Sequence, residues 1–298
     1  MLTISSPSEM TRLSREARRA GKLVGFVPTM GALHQGHISL VRAARSQSDA
    51  VVASIFVNPT QFGPTEDFAK YPRNLEKDSA MLIAEGVRYL FAPAAEAMYP
   101  EGSSAWVNVE GLCDKLDGGS RPGHFRGVTT VVAKLFNIIQ PDLAFFGQKD
   151  AAQVAVIRKM VRDLHFNTEI VVCPIVREAD GLAMSSRNAY LSPEERKRAT
   201  VIYRSLRSVE ILAGHGERNA ARLAAAARQV MSEEPSIRID YYEVVDPDTL
   251  EPVADIANGA LVAAAAYIGP TRLIDNVLLS AKREAPTSRV MGKPDTSR

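Results

Sequence analysis

Strand-like and helix-like segments alternate through the first two thirds of the chain, and this alternation limits the possible folds more than any other feature. Residues 23–27 and 51–57 are short, almost wholly apolar and rich in branched side chains, which is typical of strands buried on both faces of a parallel sheet. Residues 36–45 fit a helix, so the three segments predict a βαβ unit, with Pro28 ending its first strand.

The same alternation continues to about residue 187. Ser6-Pro7-Ser8-Glu9 has a capping residue, a proline and an acid in the order that starts a helix, which we expect to end before Gly21. Further helices are predicted at 75–85, 129–139 and 150–164, and further strands at 87–92, 143–146 and 169–173. Together they predict a doubly wound, Rossmann-like α/β domain over residues 1–187.

Beyond that point the pattern changes. Ser192-Pro193-Glu194-Glu195 is a second capping box and predicts a helix to about residue 213. A second helix is predicted at 218–231, followed by strands at 237–245, 259–268 and 272–279. Helices followed by a run of strands predict a smaller α+β domain over residues 188–283, and the polar residues 284–298 predict a disordered tail.

The composition excludes several classes of protein. The 36 Lys and Arg nearly balance the 34 Asp and Glu, so the net charge of +2 gives no nucleic-acid footprint. The start of the chain has no apolar signal-peptide segment, and the longest apolar run is half a membrane span. Cys113 and Cys173 form no CxxC pair and are expected to be packing residues. We therefore expect a cytoplasmic protein without a membrane or nucleic-acid partner.

Chemically versatile residues follow four of the predicted strands. In parallel α/β sheets, ligands bind outside the carboxyl ends of the strands, so these segments should meet at one rim. The segments are Pro28 to His37, Asn58 to Gln61, Gly147 to Asp150, and Val176 to Asn188. Their glycines, imidazoles, cations and hydroxyls are groups that could bind a nucleoside triphosphate.

His34 and His37 stand three residues apart at the predicted start of a helix, where free N–H groups and the helix dipole favour phosphate. Gly36 would leave room for a base or ribose against the backbone. The alternative is a pair of surface histidines that only cap the helix.

Other candidate residues are weaker when taken singly. Lys149 would neutralise developing charge on a phosphate, or be an ordinary solvated lysine. Ser185, Ser186 and Arg187 offer hydroxyl and guanidinium donors. Gln61 and Gln153 could orient a small hydroxy acid, or be ordinary surface residues.

Three arginines and the remaining histidines are less informative. Arg73, Arg121 and Arg126 lie in predicted loops and are interpreted as part of a lid, part of an anion-binding wall, or solvated charge. A structural role is expected for His124, His165 and His215, and a packing role for Trp106.

At this point the motifs resemble a known family. HxGH after the first strand, with MSSRN in the place of a KMSKS loop, is similar to the nucleotidyltransferase superfamily that includes class I aminoacyl-tRNA synthetases. More closely, the chain resembles the pantothenate synthetases (pantoate–β-alanine ligases) in the strings FVPTMGALHQGH, SIFVNPTQF, SRPGHFRGV, FFGQKD and VREADGLAMSSRN. The resemblance runs from about Gly21 to Leu279, and Gln148 is a departure, since relatives often carry Glu or Lys there.

The resemblance implies that ATP, pantoate and β-alanine are converted to pantothenate, AMP and diphosphate through a pantoyl adenylate. It assigns pantoate and β-alanine to Gln61 and pantoate to Gln153, makes His37 the proton donor, and implies a homodimer. The ATP contacts that it implies are Met30, Gly31, Ala32, Leu33, His34, Gln35, Gly36, His37, Gly147, Gln148, Lys149, Asp150, Val176, Met184, Ser185, Ser186 and Arg187.

The residue chemistry is compatible with these roles. A carboxylate and a triphosphate repel each other, so cations and donors are needed to place and neutralise them; the available ones are His34, His37, Lys149 and Arg187. Mg²⁺ is expected on the phosphates, and no metal ligand is assigned to the protein. A protonated His37 would donate to the leaving diphosphate. The alternatives are a related nucleotidyltransferase acting on another small acid or alcohol, and a nucleotide sensor; a tRNA-binding synthetase is disfavoured by the balanced charge.

Overall fold

Two sheets organise the part of the chain that the computed structural model describes, residues 1–64 and 66–280. The first is a six-stranded parallel sheet. Its strands are β1 (Leu2–Ile4), β2 (Val24–Thr29), β3 (Ala50–Ile55), β4 (Tyr89–Phe91), β5 (Leu143–Gly147) and β6 (Glu169–Cys173), in the order β1-β4-β3-β2-β5-β6. The predicted doubly wound α/β fold is confirmed.

Helices cover both faces of this sheet. They are α1 (Pro7–Arg19), α2 (Gln35–Gln47), α3 (Leu75–Ala84), the short α4 (Ala95–Met98) and α5 (Asp117–Ser120), α6 (His124–Ile139) and α7 (Ala151–Asp163). Helices α1, α6 and α7 share one apolar core with Phe26 and Val52, whereas α2 and α3 share the other with Val27 and Ala53. Neighbouring residues of β2 and β3 thus point to opposite cores, which explains why both strands are apolar throughout.

The second sheet is antiparallel, and its three strands belong to the smaller α+β unit that the sequence predicts. It consists of β7 (Ile237–Val245), β8 (Ala260–Ile268) and β9 (Thr271–Leu279), with β8 in the middle. Its helices are α8 (Pro193–Arg198), α9 (Thr200–Gly214) and α10 (Ala220–Met231). The boundary at residue 187 remains a prediction, and the predicted tail, 284–298, lies outside the described residues.

The prediction that Pro28 ends the first strand is wrong, because β2 continues through Pro28 to Thr29. The Thr29 carbonyl accepts from the Phe56 N–H at 3.1 Å, on the β3 side. Peptide groups alternate along a strand, so the position of the missing N–H of Pro28 faces β5. Pairing with β5 involves only Gly25 and Phe26, and Pro28 therefore removes no ladder bond.

Three other differences have local causes. Strand β1 was not predicted, because its three residues carry too little pattern and it gains its partners from β4. Helix α6 begins at His124 rather than residue 129, although it contains Gly127. A Cβ on Gly127 would lie 2.4 Å from the Thr60 carbonyl oxygen, so this glycine marks close packing and not a helix end. The helix predicted from Ser192 to residue 213 is interrupted at Ala199.

The topology determines where a ligand can bind. The chain passes from β2 to β3 and β4 on one side, then returns to β5 on the other side of β2. The carboxyl ends of β2 and β5 thus form the switch point at which doubly wound folds bind ligands. No helix among residues 1–64 and 66–280 is both long enough and apolar enough to cross a membrane.

Candidate active site

One cavity lies at the switch point, and most of the predicted site residues line it. The lining contains residues that follow β2, β3, β5 and β6, the four strands whose carboxyl ends the sequence pointed to. The predicted residues on its wall are Met30, His34, Gly36, His37, Gln61, Gly147, Lys149, Asp150, Gln153, Val176, Met184, Ser185, Ser186 and Arg187.

The other predicted ATP contacts are not part of this wall. They are Gly31, Ala32, Leu33, Gln35 and Gln148. Gln35 is exposed, and the Gln148 side chain donates to Asn276 at 3.0 Å. The structure thus places the imidazoles, the lysine and the serines at the cavity but leaves parts of the segments 30–37 and 147–150 outside its lining.

The two histidines cap helix α2 together. His34 is the N-cap residue, and its Nδ1 accepts from the Gly36 N–H at 3.1 Å. The His37 Nδ1 accepts from the His34 N–H at 3.4 Å. The rings lie 4.1 Å apart between centroids. Capping and facing the cavity are therefore not alternatives, because each ring uses Nδ1 for the helix and leaves Nε2 for a ligand.

Both imidazoles are neutral. Burial, with Lys149 adding to it, lowers the pKa of His34 to about 4. Burial and the neighbouring His34 lower the pKa of His37 to about 3. Since each Nδ1 accepts a hydrogen bond, the single proton of each ring is on Nε2. In the chain without nucleotide His37 is therefore uncharged, because desolvation outweighs the favourable position at a helix start; its protonation beside a leaving diphosphate stays a prediction.

Gly36 has a role in the helix start that the sequence did not predict. A Cβ at this position would lie 2.8 Å from Cε1 and 2.9 Å from Nδ1 of His34. The glycine is therefore needed for the imidazole to fold back over the helix start. Gly36 also lines the cavity, and the predicted room for a base or ribose there stays a prediction.

The turn before α2 is held by Asp78, which no sequence motif singled out. The buried Asp78 carboxylate on α3 accepts from the N–H groups of Ala32 at 2.8 Å and Leu33 at 2.9 Å. Gly31 and Ala32 both have positive φ, and such a turn needs external partners for its N–H groups. An acid on the inward face of α3 was the available sequence signal.

Gln61 is fixed at both its side chain and its backbone. The buried Asn58 donates from Nδ2 to Gln61 Oε1 at 3.0 Å, so the Gln61 amino group is the end left for a ligand. That amino group has only the weak acceptor Met30 Sδ, at 3.2 Å. The Gln61 carbonyl accepts from His124 Nδ1 at 2.8 Å.

His124 and Arg121 are part of the wall of the cavity. Arg121 donates to both carboxylate oxygens of Glu66, at 2.7 and 2.6 Å, and to Nε2 of His124 at 2.9 Å. Burial and the adjacent Arg121 lower the pKa of His124 to about 4, so the ring is neutral. His124 thus has the expected structural role, since it holds the Gln61 backbone. The position of Arg121 fits its interpretation as part of the wall.

The other two arginines lie outside the cavity lining. Arg73 donates to the carbonyls of Tyr71 and Phe68, at 3.1 and 2.9 Å. Arg126 stacks on Trp106, with 4.3 Å from its guanidinium carbon to the ring centroid. Trp106 is 45 % exposed, which corrects its expected packing role, whereas Cys113 and Cys173 are buried as predicted.

The MSSRN segment is attached to two parts of the fold. A narrow turn after β6 pairs Val176 with Met184, whose N–H donates to the Val176 carbonyl at 3.0 Å. Arg187 donates to both carboxylate oxygens of Asp67, at 3.2 and 3.0 Å. The guanidinium expected at the triphosphate is thus already paired in the chain alone.

The charges on the wall favour an anion. Lys149, Arg121 and Arg187 are its cations among the described residues, and Asp150 is its one carboxylate. The Lys149 Nζ lies 3.5 Å from Asp150 Oδ1, a weaker contact than those that bind the two arginines. No cluster of three or more His, Cys, Asp or Glu suited to a metal ion occurs in residues 1–64 and 66–280.

Comparison with known proteins decides the family. Residues 2–278 match the family model described as pantoate-beta-alanine ligase. The chain belongs to this family. The ligase is 60% identical to the pantothenate synthetase of Koribacter versatilis over 96% of its own length and 98% of that protein. It is 66% identical to the pantothenate synthetase of Acidobacterium capsulatum, over 86% of each chain.

Solved structures agree with the sequence comparison. The ligase superposes on the pantothenate synthetase of Thermus thermophilus with a TM-score of 0.87 and 49% identity, covering 93% of its own chain and 99% of the other. The pantoate-beta-alanine ligase of Francisella tularensis, solved with beta-gamma ATP and beta-alanine, gives a TM-score of 0.77 and 35% identity over 93% and 97% of the two chains.

Proposed function

We propose that the ligase joins pantoate to β-alanine at the switch-point cavity, with ATP converted to AMP and diphosphate through a pantoyl adenylate. One observation carries the assignment: in a chain of this family, the paired imidazoles, Lys149 and the Ser185–Ser186 hydroxyls all line one cavity. The Francisella relative, which was crystallised with beta-gamma ATP and beta-alanine, supports the same substrates.

The phosphates are proposed to lie between the start of α2 and Lys149. The Nε2–H groups of His34 and His37 donate there as neutral groups, and the thirteen-residue helix α2 adds its dipole. Met184 to Arg187, with Val176 beside them, also line the cavity. Arg187 would then be shared between Asp67 and the nucleotide.

In the first step, a carboxylate oxygen of pantoate attacks the α-phosphorus, the bond to the bridging oxygen breaks, and diphosphate leaves. Lys149 supplies the compact charge that offsets the growing negative charge, and the two imidazole donors keep the leaving group in line. A triphosphate would raise the pKa of His37 by its own charge, so any protonation of this ring accompanies nucleotide binding.

In the second step, the uncharged amine of β-alanine attacks the activated carbonyl, the C–O bond to AMP breaks, and the nitrogen loses a proton. We assign the orientation of pantoate to Gln61 and Gln153, and that of β-alanine to Gln61. The Gln61 amino group is suited to this because Asn58 already occupies its oxygen.

Mg²⁺ is proposed to arrive on the nucleotide. The described residues provide no multidentate acidic cluster, and Asp150 is the one carboxylate on the wall, so the ion would be held mainly by phosphate oxygens. Bound there, it withdraws charge from the phosphates.

A homodimer is proposed from the family resemblance, and sedimentation velocity would test it. A cytoplasmic location is proposed because the reaction needs ATP, which cells hold in that compartment.

The assignment is tested by measuring AMP with each substrate omitted in turn. ATP with pantoate should release diphosphate and leave pantoyl adenylate on the enzyme, and adding β-alanine should yield AMP and pantothenate in equal amounts. Formation of ADP, or AMP release that is independent of pantoate, would contradict the adenylate route. Lys149→Ala should lower the rate of diphosphate release by roughly a hundredfold or more.

A further inference from the structure

A side chain of the second sheet holds the turn that carries Lys149. Asn276 lies on β9, and its Nδ2 donates to the carbonyl of Gln148 and to the carbonyl of Lys149, both at 2.9 Å. Its Oδ1 accepts from the Gln148 side chain at 3.0 Å. Asn276 is only 3% exposed, so its contacts are made away from water.

These contacts use both ends of the Asn276 amide. The amino group supplies the donors and the oxygen serves as the acceptor, all directed to two consecutive residues. Residues Gln148–Asp150 form a single 3₁₀ turn between β5 and α7. A turn this short has little internal support, so partners outside it decide its position.

Asn276 is itself firmly placed. It pairs with Ala263 of the central strand β8. The preceding Asp275 is buried and receives both arms of Arg177, at 2.5 and 3.0 Å. Arg177 directly follows Val176, so adjacent residues of β9 contact two segments of the cavity wall.

We propose that Asn276 is a positioning residue for the reaction: it fixes the Gln148–Lys149 turn so that the lysine reaches the phosphates. This rests on the proposed function, because it gives Lys149 the role argued above. The second sheet then takes part in the reaction although none of its residues lines the cavity, because it sets the position of a lysine that follows a strand of the first sheet.

The expected consequence is kinetic. Without the amide, the two carbonyls lose their donor and the turn can shift relative to α2. Because a displacement of about 1 Å can cost on the order of a hundredfold in rate, we expect Asn276→Ala to lower kcat for diphosphate release at least roughly tenfold, with a smaller change in the KM for ATP. Asn276→Asp keeps the shape but cannot donate as a carboxylate, and should behave similarly.

The test is a double-mutant cycle with Lys149. If Asn276 acts through the lysine, Asn276→Ala should have little further effect on kcat in a Lys149→Ala chain. Val277→Ala is the matched control: this neighbour on β9 packs, partly buried, against the apolar cluster that the second sheet shares with α9 and α10. It should lower the midpoint of urea unfolding while kcat stays within about twofold. An undiminished loss of kcat in the Lys149→Ala background, or an unchanged kcat in Asn276→Ala, would overturn the proposal.

A measurement independent of turnover separates this proposal from the proposed function. Hydrogen exchange of a peptide covering residues 147–153 should become faster in Asn276→Ala and stay unchanged in Val277→Ala. If the natural sequence makes no AMP, the proposed function fails, whereas unchanged exchange in Asn276→Ala would refute the positioning role by itself.

Discussion

The imidazole of His34 has two nitrogens in different surroundings. Nδ1 accepts from the helix start, and Nε2–H is left at the cavity. A ring in this position contributes to the stability of α2 and to ligand binding at once. The two contributions can be separated, because an asparagine oxygen can occupy the place of Nδ1 but an asparagine cannot reach the place of Nε2.

We expect His34→Asn to keep the free energy of unfolding within about 0.5 kcal/mol, since asparagine is a good N-cap, whereas His34→Ala should lose about 1 kcal/mol. Both should lower kcat/KM for diphosphate release by roughly a hundredfold, because both lack the Nε2–H donor. Urea unfolding and a diphosphate assay would measure the two effects. Full activity in His34→Asn would remove His34 from the phosphate site.

At this scale the sequence was informative about side chains that face the ligand and uninformative about those behind them. The spacing of His34 and His37, and the strand before Lys149, placed them at one rim. Asp78 and Asn276 bind backbone atoms at distant points of the chain, and such pairing leaves no local pattern.

Helix α3 shows how an element outside the cavity shapes it. Its Asp78 reaches the two N–H groups just before α2, so the start of α2 depends on α3 being in place. The pairing explains how Gly31 and Ala32 can hold positive φ in succession.

Replacing Asp78 with Asn should lower the free energy of unfolding by about 1–3 kcal/mol, because the amide has one acceptor atom for two N–H donors and places its own donor against the other. The KM for ATP should rise as the turn relaxes. Glu76→Gln is the matched control, since Glu76 is an exposed acid on the same helix. An equal, small effect in both variants would show that the carboxylate does not hold the turn.

Predicted element boundaries were wrong where packing allowed a proline or a glycine inside an element that such residues usually end. Pro28 lies inside β2 because its side of the strand has no partner, and Gly127 lies inside α6 because Thr60 is too close for any side chain. Strands β6 and β7 matched their predicted bounds, and neither contains a proline or a glycine.

Across the whole molecule, three partly buried imidazoles make stability depend on pH. The pKa values of His34 and His124 are lowered to about 4, and that of His37 to about 3, chiefly by burial. The unfolded chain takes up protons below about pH 6.5, while the folded chain does not until about pH 4. The contribution of these imidazoles to the free energy of unfolding is therefore fully present above pH 6.5 and is lost as the pH drops toward 4.

We expect the free energy of unfolding to decrease between pH 6.5 and 4.5, by up to about 1.4 kcal/mol per pH unit for each such imidazole. Urea titrations at several pH values would measure the slope. His124→Asn removes one of these imidazoles, and its amide can still donate to the Gln61 carbonyl. Unfolding should then take up one proton fewer, so the free energy of unfolding should change less steeply with pH. An unchanged slope would mean that His124 is not buried in neutral form.

The two sheets are joined by charge as well as by Asn276. Arg272 of β9 donates to Asp117 of α5 at 2.6 Å and to Asp240 of β7 at 2.8 Å, and the Tyr241 hydroxyl donates to Asp117 at 3.2 Å. The two-part architecture was predictable from the order of helices and strands. This connection was not, because it joins residues more than a hundred positions apart.

Four apolar residues after the predicted boundary, Val245, Leu250, Leu261 and Ala263, belong to the same buried cluster as Phe26 and Phe136. A gene shortened to its first 187 codons would therefore encode a polypeptide whose core is left open on one side. Such a fragment should collect in inclusion bodies when expressed alone, and supplying the missing half from a second plasmid should return it to the supernatant.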